Sequence, residues 1–581
     1  TAKMMLLHIN EMMLLNTINE ALRQKNKENN RFILADTAHF LREMIDDFDV
    51  PFIYERTGTR YKHIMIDEFQ DTSELQWENF KPLLHNSLAD DSKCLVVGDV
   101  KQSIYRWRNS DWRTLNDMEH GEFKEKIALP PLDTNYRSSE QVVEFNNAFF
   151  QKAARFVAQK YNEATTFADG SNAAEDRAQA ITMAYKEVVQ KVPEKHRGYG
   201  YVKVDHLLYA NEDVDDAATD AQDAPAPAQV TERKSKVEMT LDRFGETMTE
   251  LLNNGVQPRD IAVLVRQNWQ GAKIAGYLEE HFPHVKVVSN EAFLLDSSLA
   301  VSMLISALRM LANPQNDIER YTLATLYHRE VKCKELVDFS EEQIQEVANR
   351  IFTKSKEQAD VLLPLGDEEA QRALLELPLY ELCERLYELL GLKAIKGQDA
   401  YLYTFFDQLL AYLQDNRSTI DAFLAYWDET MHETPVPMGT ADGVQIMTIH
   451  KSKGLEFHTG IVPFCDGKAD GIKSQNKPLL WCKPEQAPFN QLKLSPLEYG
   501  GDMKESLFHK DFDEELLRQL VDNLNVLYVA FTRAENNLII LTGADSKKEV
   551  GKTTSELSDI INMALLGEET DGVYAWPTFK G

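Results

Sequence analysis

Two adjacent carboxylates, Asp67 and Glu68, follow the apolar run HIMI and precede FQDT. The run has the composition of a buried strand, so the pair is expected at the carboxyl end of that strand. A carboxylate there can hold Mg²⁺ through water, and its neighbour can orient or deprotonate an attacking water molecule. Asp67 is therefore the candidate metal ligand and Glu68 the candidate for activating water. A solvated strand end is the alternative interpretation of the pair taken alone.

A second strand-like run, CLVVGD at residues 94–99, also ends in an acidic residue. The segment after it, VKQSIYRWRNSD, places Gln102 near the strand end and then supplies Tyr105, Trp107 and Arg108. Aromatic rings interleaved with guanidinium groups suit single-stranded nucleic acid, because bases stack on the rings while cations follow the phosphates. A tryptophan packed in the core under arginine stems is the alternative.

Two further segments supply arginines. LDTNYRSSEQVV contains Tyr136 and Arg137, and VLYVAFTRAENN contains Arg533. An apolar stripe at spacings of three and four precedes Arg533 and predicts a helix that buries one face and carries the arginine at its far end. Arginines delivered from separate segments can stabilise a dissociating γ-phosphate. A surface ion pair is the alternative for each arginine alone.

The segment TIHKSKGLEF begins at Thr448, immediately after a strand-like run, and also contains His450 and Glu456. His450 taken alone fits a structural histidine better than a functional one. A phosphate loop, G-x-x-x-x-G-K-[ST], would complete a nucleotide site. Residues 551–553 are Gly-Lys-Thr, but Ser546 stands where the first glycine belongs, so this stretch is interpreted as a surface turn.

The elements that must position these residues alternate between strand-like and helical patterns. Residues 1–150 contain HIMID and CLVVGD, whereas 195–294 and 436–565 contain YGYVKVDHLLY, DIAVLVR, GVQIMTIH, GIVPF and NNLIILTG. This alternation predicts an α/β fold of parallel sheets with functional residues at the carboxyl ends of strands. Residues 295–435 have a helical period and predict a helical insertion.

Two stretches have a different character. Residues 211–235, rich in Ala, Asp and Pro, lack the apolar surface that would offset the loss of chain entropy, so a disordered acidic loop is expected. The amino-terminal residues predict an amphipathic helix, whose apolar face would hold Met5, Ile9, Met12, Leu15 and Leu22.

Length, charge and cysteine content limit the classes of function. A chain of 581 residues exceeds one core and predicts two to four domains. The net charge of −30 would repel a polyanion unless cations are gathered locally, as they are around Trp107. Five cysteines without metal-ligand spacing indicate a reducing compartment. The amino-terminal apolar run is too interrupted for a membrane span, so no membrane partner is expected.

In order and wording, the five stretches IMIDEFQDT, VVGDVKQSIYRWRNSD, LDTNYRSS, TIHKSKGLEF and VLYVAFTRAENN resemble the UvrD/Rep-like superfamily 1 DNA helicases. GDVKQSIYRWR is most similar to the helicase subunits of the RecBCD and AddAB recombination-repair helicase–nucleases. The resemblance, over residues 32–545, implies two RecA-like parallel-sheet lobes, the second carrying the helical insertion. It also implies the cofactors ATP and Mg²⁺ and a bacterial cytoplasmic location. The implied partners are single-stranded and duplex DNA and one further subunit of a helicase–nuclease complex.

The resemblance assigns roles at the nucleotide. It makes Asp67 the magnesium ligand, Glu68 the water-activating group and Gln102 a γ-phosphate sensor. Arg137 and Arg533 would reach the γ-phosphate. Tyr136 would stack on adenine, and Glu456 would lie near the ribose.

The resemblance also assigns contacts with DNA. The residues implied in binding the single strand are Tyr105, Trp107, Arg108, Thr448 and His450. Asn109 and Ser110 stand where the family usually has Gly-Ala, which is a departure at this contact.

In the family, a phosphate loop and an accessory domain precede the acidic pair, whereas 66 residues precede Asp67 here. We therefore expect the first lobe to be incomplete, the chain to be inactive by itself, and no nuclease domain to follow Arg533. The implied function is that of a fragment of a 3′–5′ ATP-dependent DNA helicase or translocase, acting in double-strand break repair and recombination within an exonuclease V-like complex. A non-catalytic, helicase-like scaffold subunit of a repair complex is the alternative.

Overall fold

The computed structural model describes residues 1–28, 31–33, 36–46, 61–89, 92–120, 123–124, 128, 132–165, 173–186, 188–209, 235–289, 294–313, 316–327, 331, 368–395, 397–436, 442–465, 467, 477–545 and 556–565. These residues belong to two compact units, one formed by Thr1–Asn254 with Ile449–Gly581 and the other by Gly255–Thr448.

The described helices, in chain order, are α1 (Ala2–Leu7), α2 (Ile9–Glu28), α3 (Thr37–Asp46), α4 (Glu74–Ala89), α5 (Arg113–His120), α6 (Glu140–Thr165), α7 (Ala173–Ala184), α8 (Lys236–Asn253), α9 (Asn268–His281), α10 (Leu299–Ala312), α11 (Asp317–Tyr327), α12 (Glu368–Leu375), α13 (Leu379–Leu389), α14 (Asp399–Asp415), α15 (Ile420–Glu429), α16 (Ile449–Ser452), α17 (His509–Phe531) and α18 (Leu557–Leu565).

The described strands are β1 (Met65–Ile66), β2 (Leu95–Val96), β3 (Tyr201–Tyr209), β4 (Ile261–Val265), β5 (Val287–Val288), β6 (Val444–Thr448), β7 (Phe457–Val462), β8 (Leu479–Cys482), β9 (Ser495–Glu498) and β10 (Ala534–Asp545). With these helices they form an α/β fold, as the alternating patterns predicted.

Parallel pairing dominates the first unit. β1 pairs with β2 in the register Met65↔Leu95, and β10 lies between β3 and β7 with parallel neighbours on both sides. β8 and β9 form an antiparallel pair. Because β7 and β10 are parallel neighbours, the residues that directly precede them lie at one edge of the sheet. Those residues are Glu456 and Arg533.

The edge that holds Glu456 and Arg533 is not the one predicted, because the sequence predicted functional residues at the carboxyl ends of strands. The carboxyl ends of strands do carry Asp67 after β1, Asp99 after β2 and Thr448 at the end of β6. Glu456 and Arg533 instead stand at the amino ends of β7 and β10. The main chain joins them there, since the N–H of Phe457 donates to the carbonyl oxygen of Arg533 at 2.9 Å.

The core of the first unit is built mainly on α6 and α17. The second half of α17 is buried on nearly every side, including Leu520, Leu524, Tyr528 and Phe531. The ring of Phe150 on α6 packs against Tyr528 at 5.1 Å between centroids. A long helix enclosed in this way is a rigid support for the residues at its end.

A smaller apolar cluster supports the acidic turn after β1. Phe69 is fully buried and packs edge-on against Trp77 of α4, with ring centroids 4.9 Å apart. Leu84, Met118 and Phe123 complete the cluster. Phe69 therefore anchors the chain one residue beyond Glu68.

The second unit contains the parallel strands β4, β6 and β5, paired in that order. All five residues of β4 are buried, which explains its continuous apolar sequence. Helices α10 to α15 lie within the predicted insertion. Ser298 caps α10 by accepting a hydrogen bond from the N–H of Val301 at 3.1 Å.

The amino-terminal prediction needs correction. The predicted helix is divided at His8 into α1 and α2, and α2 buries none of its residues. Met5 is buried, but Ile9, Leu15 and Leu22 are exposed. The acidic stretch up to residue 234 and the Gly551–Thr553 sequence lie outside the described residues, whereas Ser235 caps α8 in a capping box with Glu238. Within the described part of the chain, no helix is both long and apolar enough to cross a membrane.

Candidate functional site

The acidic turn after β1 has an unusual backbone. Glu68 adopts the left-handed conformation, with φ 52° and ψ 39°. A residue with a Cβ atom pays roughly 1–2 kcal/mol for that conformation. The buried ring of Phe69 and the bond from its N–H to the carbonyl oxygen of Val97, 3.0 Å long, hold the turn in place. Asp67 is exposed, and its Oδ1 accepts the N–H of Glu68 at 2.9 Å.

Gln70 connects the ends of β1 and β2. Its side chain is buried and donates from Nε2 to Oε2 of Glu68 at 2.5 Å, while its Oε1 accepts the N–H of Asp99 at 2.9 Å. Gly98 permits this contact, because a Cβ atom there would stand 2.9 Å from Oε1 of Gln70. The candidate water-activating group is thus tied to the second strand end.

Lys453, in the loop between α16 and β7, brings a buried cation to the acidic turn. Its Nζ lies 2.6 Å from Oδ2 of Asp71 and 3.2 Å from Oε2 of Glu68, and its side chain is 6% exposed. Burial raises the pKa of Asp71, with a further contribution from Glu68, and the bond to Lys453 opposes that rise. The lysine therefore partly neutralises two carboxylates.

The 3-10 turn Val100–Gln102 follows β2. Asp99 begins the turn by accepting the N–H of Lys101 at 3.1 Å, and its Oδ2 accepts Nε2 of Gln102 at 3.1 Å. The hydroxyl of Ser103 donates to the carbonyl oxygen of Gln70 at 3.2 Å. The candidate γ-phosphate sensor is therefore fixed to the same network as the acidic turn.

Arg533 is almost completely buried, with 1% exposure. Its guanidinium donates to the carbonyl oxygens of Val529 and Leu455 and to the hydroxyl of Thr532, at 2.9 to 3.1 Å. Within the described part of the chain, no carboxylate forms an ion pair with it. Burial, and then the positive charge of Arg137, lower the pKa of Arg533 to about 10. Glu68 and Asp99 are near enough to oppose that shift.

Arg137 lies beside this buried arginine. Its Nε is 3.0 Å from Oε2 of Glu456, and its Nη1 donates to the carbonyl oxygen of Thr532 at 3.3 Å. Tyr136 is 68% exposed, with Nζ of Lys195 6.0 Å from its ring centroid. The structure thus gathers the two arginines, Glu456 and Glu68 in one region of the first unit, with an accessible tyrosine ring next to Arg137.

The aromatic and basic segment forms a second surface. Trp107 is 66% exposed, and the guanidinium of Arg108 lies 4.5 Å from its ring centroid. The exposed ring excludes the alternative of a core tryptophan. The hydroxyl of Tyr105 donates to the carbonyl oxygen of His450 at 3.0 Å, and the two rings are 6.1 Å apart. Tyr105, Trp107, Arg108 and His450 therefore belong to one region.

Asn109, which departs from the family sequence, adopts the left-handed conformation with φ 64°. Asparagine tolerates this conformation better than other residues with a side chain, apart from aspartate. The turn that glycine would permit is thereby kept. Thr448 is 8% exposed at the end of β6, and it belongs to the second compact unit.

Arg106 has surroundings unlike those of Arg533. Its Nη1 and Nη2 donate to the two carboxylate oxygens of Glu515 at 2.8 and 2.9 Å, and its Nε lies 2.5 Å from Oδ2 of Asp522. Burial raises the pKa of Asp522 to about 7; Arg106 opposes this rise, and the negative charges of Glu515 and Asp111 add to it. A neighbouring ion pair joins Arg113 to Asp111.

Two segments of the chain match known protein families. Residues 7–122 match the UvrD/REP helicase N-terminal domain, and residues 400–544 match the UvrD-like helicase C-terminal domain. The chain carries segments of both domains of the UvrD/Rep helicases. Every candidate site residue predicted from the sequence, apart from Arg137 and Tyr136, falls within these two matched segments.

Several curated bacterial proteins are similar to this chain over most of its length. The A subunit of the ATP-dependent helicase/nuclease of Streptococcus pneumoniae (strain ATCC 700669 / Spain 23F-1) is 25% identical over 578 residues, covering 91% of this chain and 44% of that protein. The exonuclease/helicase subunit RexA of S. pneumoniae serotype 4 is 25% identical with the same coverage. The corresponding helicase/nuclease protein of Streptococcus equi subsp. zooepidemicus (strain H70) is 26% identical, covering 95% and 46%. The chain spans less than half the length of these relatives.

Sequence reasoning gave no role to three residues that hold the site together: Gln70, Lys453 and Asn525. Gln70 stands in IMIDEFQDT and Lys453 in TIHKSKGLEF. Gln70 lies two residues after Glu68, and Lys453 lies directly before Gly454, so both positions offered a usable signal. Asn525 lies beside the apolar stripe before Arg533, where it and Asn523 are buried polar residues of a largely apolar helix, and that was the signal available.

Proposed function

We propose that the protein couples ATP hydrolysis to 3′–5′ movement along single-stranded DNA, as the helicase subunit of a helicase–nuclease complex that repairs double-strand breaks. One observation carries the proposal. Arg533 is a buried cation with backbone and hydroxyl partners but no carboxylate partner in the described chain, and it lies near Arg137. Burying a charge is costly unless an anion compensates it. The γ-phosphate of ATP is the anion that we assign to it.

The residues around Arg533 fit such a ligand. Two guanidinium groups can stabilise the charge on the transferred phosphoryl group, and an arginine supplied in this way typically contributes about 10³–10⁵-fold to the rate. Glu68 would orient and deprotonate the attacking water, with Gln70 holding its carboxylate. Gln102 would contact the γ-phosphate from the turn after β2. Glu456, bound to Arg137, would exchange that contact for the ribose.

Asp67 fits a magnesium ligand, because its carboxylate is exposed and Mg²⁺ in nucleotide sites needs one or two carboxylates beside the phosphates and water. Magnesium, when bound, neutralises charge on the β- and γ-phosphates. The described residues contain no group of three or more His, Cys, Asp or Glu that could hold a metal without the nucleotide. Tyr136, with its exposed ring, would stack on adenine.

The DNA would follow the surface formed by Tyr105, Trp107, Arg108 and His450 in the first unit; Thr448, in the second unit, is a separate candidate for contact with DNA. Bases can stack on the exposed Trp107 ring, and such stacking contributes about 1–3 kcal/mol per base. The bond from the Tyr105 hydroxyl to the His450 carbonyl supports a shared role for the two segments. We further propose a bacterial cytoplasmic location, a partner subunit within a helicase–nuclease complex, and two motor lobes at 1–150 and at 195–294 with 436–565, the second interrupted by the insertion 295–435.

The test is ATP hydrolysis by the full product of the gene, with and without a single-stranded oligonucleotide. We expect stimulation by DNA, and we expect Glu68→Gln to lower kcat by about 10²–10⁴-fold, the contribution of a general base. Glu74→Gln, an exposed substitution of the same type on α4, is the matched control and should leave kcat unchanged.

The 581-residue chain contains no G-x-x-x-x-G-K-[ST] sequence, so we expect it to show no DNA-stimulated hydrolysis by itself. Turnover by this chain that Glu68→Gln abolishes would refute that expectation. Binding of single-stranded DNA by the full product without any ATP hydrolysis would instead favour the non-catalytic scaffold.

A further inference from the structure

A buried amide links the long helix α17 to the turn that carries Gln102. Asn525 is fully buried, and its Nδ2 donates to the carbonyl oxygen of Val100 at 3.1 Å and to that of Ser103 at 2.9 Å. These two carbonyls stand on either side of Gln102. One side chain therefore holds both ends of the turn.

Tyr185 fixes the orientation of that amide. Its hydroxyl donates to Oδ1 of Asn525 at 2.6 Å, and its side chain is 2% exposed. Burial raises the pKa of Tyr185 well above its ordinary value, so the hydroxyl keeps the proton that it donates. With Oδ1 committed to the tyrosine, both N–H groups of Asn525 face the two carbonyls, and every strong hydrogen-bonding group of the amide is used.

The same helix carries the second group of the site. Arg533 follows α17, eight residues after Asn525, which corresponds to about 12 Å along a helix at 1.5 Å per residue. The positions of Gln102 and Arg533 are thus both set by one enclosed helix, α17. An error of about 1 Å in the placement of a group that contacts a transition state can reduce the rate about 100-fold.

We propose that Asn525, oriented by Tyr185, is a positioning residue that sets Gln102 at the correct distance from Arg533 for contact with the γ-phosphate. The inference rests on the proposed function for its catalytic consequence and on the contacts above for its structural part. Asn525 touches no substrate, so its effect should appear in kcat more than in the KM for ATP.

The first experiment compares Asn525→Leu and Tyr185→Phe in the full product of the gene. We expect Asn525→Leu to lower DNA-stimulated kcat by about 10–100-fold and Tyr185→Phe by about 3–10-fold, with the KM for ATP changed by less than about 3-fold. The matched control is Asn562→Leu, at a buried asparagine of α18, which packs on α6 and β10. It should lower the melting temperature without lowering kcat.

The second experiment measures amide hydrogen exchange in the 581-residue chain, which requires no ATP hydrolysis. The N–H groups of Gln102 and Ser103 bond within the turn, to Asp99 and Val100. We expect both variants at the Asn525–Tyr185 pair to accelerate their exchange about 10-fold or more, and Asn562→Leu to leave it unchanged.

The outcomes separate the two hypotheses. Wild-type protein without DNA-stimulated hydrolysis would overturn the proposed function, while exchange would still decide whether Asn525 holds the turn. Wild-type kcat and wild-type exchange in folded Asn525→Leu would overturn the positioning role. If Asn525→Leu does not fold, unchanged kcat and exchange in Tyr185→Phe would overturn it instead.

Discussion

Arg533 and Arg106 are two arginines of the first unit with opposite surroundings. Arg106 is matched by Glu515 and Asp522, whereas Arg533 is more deeply buried and has only backbone and hydroxyl acceptors in the described chain. An arginine whose charge is balanced by carboxylates has its partner within the fold. In the proposed function, the arginine without a carboxylate partner, beside a second arginine, is the one that binds an anion supplied by the ligand.

The largest expected effect comes from Arg533→Met. In the full product of the gene we expect DNA-stimulated kcat to fall by about 10³-fold or more, since the arginine would act on the transition state. We expect the free energy of unfolding to change by only about 1 kcal/mol, because lost hydrogen bonds are offset by removal of a buried charge. Steady-state ATP hydrolysis and urea denaturation measure the two effects.

Arg385→Met is a suitable control for that substitution, because Arg385 is exposed on α13 and pairs with Glu388. It should alter neither activity nor stability. A large loss of stability in Arg533→Met would contradict the view that this arginine is held for a ligand.

Arg106→Met should show the opposite pattern, with its main effect on the free energy of unfolding and not on kcat. It leaves Glu515 and Asp522 without their shared cation. Because Arg106 is 31% exposed, the expected cost is about 2 kcal/mol, below the roughly 3–5 kcal/mol of a fully buried pair. Urea denaturation should show this loss, and adding Asp522→Asn should restore part of it. Equal stability of Arg106→Met and wild type would mean that the ion pairs do not distinguish the two arginines.

The smallest expected effect is a pH dependence at Asp522. Because its folded pKa, about 7, lies above the ordinary value of 3.8, a bound proton on Asp522 stabilises the folded chain. That contribution is fully present below the ordinary value and is lost as the pH rises through about 7. Asp522→Asn should therefore gain stability relative to wild type between pH 5 and pH 8, by about 1–3 kcal/mol.

Melting temperatures of the two proteins across this pH range test the expectation. Asp502→Asn, at an exposed aspartate, provides the control. A constant difference between wild type and Asp522→Asn at all pH values would show that Arg106 balances both carboxylates, and would sharpen the contrast with Arg533.

The sequence predicted the elements with strong apolar periods best. DIAVLVR became β4, and the stripe before Arg533 became α17, because continuous burial leaves a clear pattern. The stripe underestimated how much of α17 is buried, since Val526 and Val529 on its other sides are buried too. The amino-terminal pattern predicted a buried face that α2 does not have, because periodicity shows which residues could pack and not what they pack against.

Contacts between distant segments were beyond local patterns. The pairing of Lys453 with Asp71 and the donation from Asn525 to Val100 join residues more than 300 positions apart. Each is a single polar residue whose partner is chosen by the fold. The departure at Asn109 is informative in retrospect, since its left-handed φ explains why this residue type can replace glycine.

The left-handed backbone at Glu68 has a consequence for the evolution of related proteins. Glycine would fit that conformation without steric cost, so a lineage no longer selected for hydrolysis would be free to relieve the backbone by replacing the glutamate, at the cost of its contacts with Gln70 and Lys453. Relatives that have become binding proteins should therefore show glycine, or asparagine, at this position more often than chance allows. The residue at this position would then distinguish relatives that still hydrolyse nucleotide from relatives that no longer do.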